Sequence, residues 1–199
     1  MLKKIQNLFF FFFFFLFFSC DDSKKITITK VNGSPSYENA KLSITDLAKD
    51  KAEYSFLFDS SNYELGIQTP KDFDYQLANS DKGQHIHFIV NNDPYSAHYS
   101  ENVTKKIEEG DVILAFLSRS YHESVKNPNA FVLTEVGDKQ EKDLSDEFLF
   151  YSRPKGKYVG EDTKKLLLDF YLVNTNISKN GNKVKATINQ TEFIIDEWA

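Results

Sequence analysis

The four histidines of this chain fall at positions 85, 87, 98 and 122, all inside one stretch of residues 83–124. His85 and His87 are one residue apart in His85-Ile86-His87-Phe88-Ile89-Val90, and on a strand that spacing holds two side chains on one face about 6.6 Å apart. Two imidazoles so placed can reach one zinc or copper ion, with His98 and His122 as the further imidazoles the chain offers. No C-x-x-C or H-E-x-x-H pattern accompanies them. A second cluster, Ser118-Arg119-Ser120-Tyr121-His122-Glu123-Ser124, gathers a guanidinium, a phenol, an imidazole, hydroxyls and a carboxylate in seven residues. Such a loop suits a polar ligand: a glycan, a peptide or a phosphate-bearing group, with Arg119 as the planar fork that grips an anion. Tyr95 and Tyr99 would add an aromatic platform.

Catalysis has less support. A nucleophilic serine needs a histidine that a carboxylate orients in turn, and Ser120, His122 and Glu123 are too close in sequence for their side chains to converge on an extended loop. The eight glycines are scattered, with no phosphate-cradling loop among them. The expectation is a binding protein and not an enzyme, with no cofactor unless the histidines hold metal.

The elements that must position these residues read as short strands separated by turn signals, without long helical periodicity. Alternation in residues 26–29 and again at Tyr54, Phe56 and Phe58 marks strands, as does Tyr63, Leu65 and Ile67. Residues 45–52 fit a helical turn or two. Within 85–90, the apolar set Ile86, Phe88 and Val90 faces a core, which sends His85 and His87 together to the other face. Residues 112–117 are apolar on both faces, as in a central strand covered on each side. Residues 131–136 read as the next strand. The spacing between turns predicts an all-β fold of immunoglobulin-like β-sandwich type.

A shift of 98 residues without a gap brings Gly83 onto Gly181, Ile86 onto Val184, Val90 onto Ile188, Asn91 onto Asn189 and Tyr95 onto Phe193. The same shift brings His85 and His87 onto Lys183 and Lys185, so the backbone pattern does not itself demand histidine. Asn180-Gly181 reads as a tight hairpin turn. The expected organisation is a leader at 1–19, a tether at 20–29, a complete sandwich at 30–138 and a partial second copy at 139–199.

At the N-terminus, Lys3 and Lys4 precede an unbroken apolar run at residues 8–18, and Ser19-Cys20 closes it. Eleven apolar residues are too few for the roughly 20 of a membrane-spanning helix, and the pattern is that of a signal peptide. Cys20 is the single cysteine, which excludes an internal disulfide and makes it the lipidation site. Cleavage before Cys20 leaves 22 of the 24 basic residues against 29 acidic ones, a net charge of about −7. That balance argues against nucleic acid as a partner. Asp21-Asp22 directly after the cysteine is either a solvated linker or, as it resembles the surface-export signal of Bacteroidota-type lipoproteins, an address. That resemblance implies an outer-membrane, lipid-anchored location, with the body on the cell surface or on the periplasmic side.

Three runs, HIHFIVNNDPYSAHY, AFLSRSYHESVKN and LLLDFYLVNTNISKNGNKVKATINQTEFIIDEW, resemble a family of Bacteroidota lipoproteins often labelled phosphopeptide-binding. The resemblance implies recognition of phosphoserine or phosphothreonine on a β-sandwich, as in forkhead-associated domains. Here Arg119, Ser120 and His122 are crowded within four residues, where those domains spread their Arg, Ser and His more widely. The first functional expectation is therefore a lipid-anchored envelope protein that binds a polar ligand or acts in adhesion. The alternative is an envelope metal-binding protein using the histidines.

Overall fold

In the computed structural model, which describes residues 25–73 and 76–198, the chain is all β apart from one 3-10 turn at Gly160–Thr163. The leader, Cys20 and the acidic pair after it lie outside the described residues. Two sheets face each other. One is formed by β1 (Ser43–Asp50), β2 (Glu53–Asp59) and β5 (Asn102–Lys106), in the order β1-β2-β5. The other holds β3 (His85–Val90), β4 (Ser96–His98), β6 (Val112–Ser118) and β7 (Phe131–Glu135), in the order β4-β3-β6-β7. All pairings are antiparallel.

Period-2 alternation explains the core between them. Tyr54, Phe56 and Phe58 of β2 are buried while Glu53, Ser55, Leu57 and Asp59 are exposed, and the buried set meets Ile86 and Phe88 of β3 and Ile113, Ala115 and Leu117 of β6. The Phe56 and Phe88 rings meet edge to face, 5.1 Å between centroids, an arrangement that aromatic quadrupoles favour. Strand β6 is buried along its whole length, as its two-sided apolar sequence requires.

The second face of β3 and β6 is covered by β8 (Phe148–Arg153) and β9 (Asp169–Val173), an antiparallel ribbon. Phe150, Tyr171 and Val173 of the ribbon pack with Ile89, Val112, Leu114 and Phe116 in a second core. Tyr171 stacks on Phe116 at 4.5 Å and donates a hydrogen bond to the Val125 carbonyl at 3.2 Å. Trp198 closes the edge, its ring perpendicular to Tyr171 at 5.3 Å and its indole N–H on the Phe170 carbonyl at 3.0 Å.

This layer differs from the partial second sandwich expected at 139–199: β8, β9 and Trp198 pack as a third layer on the sheet of β3 and β6, while the last two strands pair only with each other. The shift of 98 has a local basis, a pair of similar hairpins, because β10 (Val184–Ile188) and β11 (Thr191–Ile195) repeat the turn that joins β3 to β4. Three local readings also change. Residues 45–50 belong to strand β1, because each pairs across to β2 apart from the irregularity at Thr45. Residues 26–29 and 63–67 lie outside any strand. Residues 178–181 do turn, with the Gly181 N–H on the Ser178 carbonyl at 3.2 Å, but positive φ falls at Asn189 and Gln190 (46° and 67°) and not at Asn180 or Gly181, so the positive-φ hairpin turn sits between β10 and β11.

Candidate metal centre

His85 and His87 emerge from the same face of β3, toward β8 and β9, and both side chains are fully buried. The ribbon of β8 and β9 removes this face from water. The third member, His122, comes from the loop that follows β6. Ser118 and Ser124 form a bridge across that loop, and the Arg119 carbonyl accepts the His122 N–H at 2.8 Å. His122 itself is half-buried and has φ of 68°, a left-handed conformation uncommon for any residue but glycine, and one to which His is comparatively tolerant. The turn directs its ring back over β3.

The ring nitrogens converge. His85 Nε2 lies 2.9 Å from His87 Nε2 and 3.1 Å from His122 Nδ1, and the three ligand atoms all lie within 4.8 Å of one another. The opposite nitrogens are held. His85 Nδ1 is 2.8 Å from the Gly83 carbonyl, and since a carbonyl can only accept, this nitrogen carries the hydrogen and Nε2 presents a lone pair. His87 Nδ1 is 3.2 Å from Ser152 Oγ of β8, so a hydrogen there leaves Nε2 of His87 also bare. Neutral His85 thus has one inward lone pair facing two ring nitrogens, and a single shared proton satisfies one contact well at most. A cation among the three would satisfy all of them.

Burial keeps the imidazoles neutral. It lowers His85 from 6.5 to about 4, and lowers His122 to about 3 with help from the charges of Arg153 and, less, His85 and Lys155. His87, the most enclosed, is pushed well below its ordinary value, again by burial first. Neutral imidazole is the form a metal binds.

Tyr95 completes the surroundings. Its ring stacks on His87 at 3.6 Å with 15° between planes, and its hydroxyl is 3.4 Å from His122 Nδ1. Lys155 Nζ sits 4.3 Å and the Arg153 guanidinium 5.7 Å from the Tyr95 ring centroid. Arg153 is only 7 % exposed and no carboxylate forms an ion pair with it among the described residues. Burial pushes the Tyr95 phenol up to about 12. Tyr99 lies beside His85 at 5.1 Å, its hydroxyl 2.7 Å from Ser80 Oγ.

Other residues read as site candidates are placed elsewhere. His98 is on the opposite face of the sheet from the cluster, its Nε2 2.9 Å from Ser96 Oγ and its ring against Phe88; it pairs with Ile86 across β3 and so shares that residue's side. The loop at 118–124 ties itself down instead of opening a hollow. Arg119, 5 % exposed, donates to the carbonyls of Pro35 and Ser124 and faces Glu123 at 3.6 Å. Ser118 Oγ donates to the Arg119 carbonyl, Ser120 Oγ accepts the Thr69 N–H, and Tyr121 donates to Ser34, which in turn donates to Glu123. Of that loop only His122 turns to the cluster. Sequence reasoning missed Ser152, Arg153 and Lys155, and the one available signal was that Arg153 is the chain's other arginine.

No protein family matches the chain, and neither a curated protein nor a solved structure is significantly similar to it.

Proposed function

We propose that the protein is a lipid-anchored envelope protein that binds one zinc or copper ion through His85, His87 and His122. The observation that carries this reading is the convergence of three imidazole nitrogens, at 2.9 and 3.1 Å along two of their three separations. Bonds of about 2.0–2.1 Å to one tetrahedral ion separate neighbouring ligands by about 3.3–3.4 Å, so an outward shift of a few tenths of an ångström admits the ion along those two edges. The outward nitrogens of His85 and His87 are already held by Gly83 and Ser152, as metal-binding imidazoles are held elsewhere. Imidazole donors without thiolate or carboxylate suit zinc and copper better than magnesium or calcium.

Titration calorimetry on the metal-free protein tests the assignment. One equivalent of zinc or copper should bind, and His122→Ala should weaken binding by more than 100-fold while His98→Ala leaves it unchanged. Equal binding by the His122 variant would remove the site. The anchor has its own test, resting on the apolar run at residues 8–18 and the single cysteine. Cys20→Ala should move the protein out of the carbonate-washed membrane fraction, since acyl chains supply the hold on the bilayer; retention there would refute lipidation.

A further inference from the structure

The three imidazoles are neutral ligands, and the groups nearest the cluster make the lack of counter-charge worse. Arg153 and Lys155 are the cations beside the cluster, 5.7 and 4.3 Å from the centroid of the Tyr95 ring that stacks on His87, and among the described residues the metal-binding group of side chains contains no carboxylate. A buried divalent ion with three neutral ligands and two cationic neighbours is poorly compensated. Tyr95 is the group within hydrogen-bond reach of the cluster that can become an anion.

From this arrangement, and resting on the three-histidine reading above, we infer that Tyr95 is the fourth ligand, binding the ion through its phenolate oxygen. Its hydroxyl oxygen is 3.4 Å from His122 Nδ1, matching the edge of about 3.3–3.4 Å expected between ligands of one tetrahedral ion. The stacking on His87 restricts the ring to the cluster's face of the sheet, and the Arg153 guanidinium, 5.7 Å from the ring centroid, sets a positive charge beside the phenolate ring, while Lys155 donates to the Tyr95 backbone carbonyl. On binding, the Tyr95 O–H bond breaks, its electron pair becomes the metal bond and the proton leaves to solvent. No oxidant or reductant takes part. The ligand set is then three nitrogens and one anionic oxygen, which favours a divalent ion over Cu(I), whose preference is for softer sulfur donors.

Copper(II) added to the metal-free protein, with absorption and calorimetry recorded together, tests the assignment. The natural protein should take up one ion and develop a visible phenolate-to-copper charge-transfer band. Tyr95→Phe, which keeps the stacked ring, should still take up one ion but without the band and with 10- to 100-fold weaker affinity; Tyr99→Phe should keep both. A single bound copper without the band in the natural protein, or a band that survives Tyr95→Phe, would overturn the role of Tyr95 and leave the three histidines standing. Failure of the natural protein to bind copper, zinc or any other divalent transition ion would overturn both.

Discussion

Two hairpins in this molecule share a design and differ in fate. In β3–β4 the turn residues Asn91 and Asn92 have φ of 49° and 70°, and in β10–β11 Asn189 and Gln190 have 46° and 67°, the paired positive values of a tight hairpin turn. The arms differ by one residue. Phe88 lies opposite Ser96 in the first, while its counterpart Ala186 lies opposite Phe193 in the second, and Phe193 is the counterpart of Tyr95. One residue of slip exchanges the faces of a strand, so Tyr95 turns to the side of His87. The second difference is cover. The His85 and His87 face lies under β8 and β9, whereas Lys185, in the position of His87, is exposed and pairs with Glu192 at 2.9 Å. Similar backbone yields a candidate metal centre in one place and a solvated ion pair in the other, and what separates them is a layer and a register.

The largest break in this comparison should come from removing the cover. Tyr171→Ala deletes a fully buried ring that contacts Phe116, Phe131 and Trp198, and should cost about 3–5 kcal/mol in urea unfolding. Ile194→Ala, in the exposed hairpin, should stay within about 0.5 kcal/mol. Equal losses would mean that the ribbon contributes no more than the outer hairpin.

Acid should separate the two faces next. His85 has a folded value near 4 against 6.5 unfolded, so the unfolded chain binds more protons between those values. The metal-free protein is then most stable above pH 6.5 and loses stability as pH falls toward 4, by about 3 kcal/mol from a shift of this size. His87 and His122 move in the same direction. Urea midpoints from pH 7.5 to 4 measure it, and a variant with His85, His87 and His122 replaced by Gln should show a flatter profile. The smallest effect belongs to the exposed pair: Lys185→Ala should change stability by under about 0.5 kcal/mol and shrink further in high salt. A larger, salt-insensitive loss would show that the hairpin is not the solvated element described here.

The parts of this architecture that sequence could disclose were those written in alternation. Residues 54, 56 and 58 and residues 86, 88 and 90 announce their faces, and the same parity puts His85 and His87 side by side. Parity cannot say what lies on the far side of a face. Strands β8 and β9 are no more apolar than the strands before them, and nothing local shows that they cover β3 instead of opening a new sandwich. His98 was misplaced for a similar reason, since its side of the sheet follows from pairing with Ile86. The polar loop at 118–124 looked like a ligand site because its composition is shared by loops that bind others and loops that bind themselves. The left-handed turn that delivers His122 leaves no mark in the sequence at all.

The cover also governs time. Two ligands stand on β3, a strand hydrogen-bonded on both sides, while the serine that holds His87 comes from β8, 65 residues further along the chain. The ribbon of β8 and β9 pairs with itself and joins the sandwich through side-chain packing and side-chain hydrogen bonds, such as those of Asn92 to the Leu149 carbonyl and from the Tyr151 N–H, without ladder hydrogen bonds to β3 or β6. Such a unit can detach at less than the cost of global unfolding. A captured ion would therefore leave at the rate at which this ribbon unlatches, and its residence time would be set by Tyr171 and Phe150 as much as by the imidazoles that touch it.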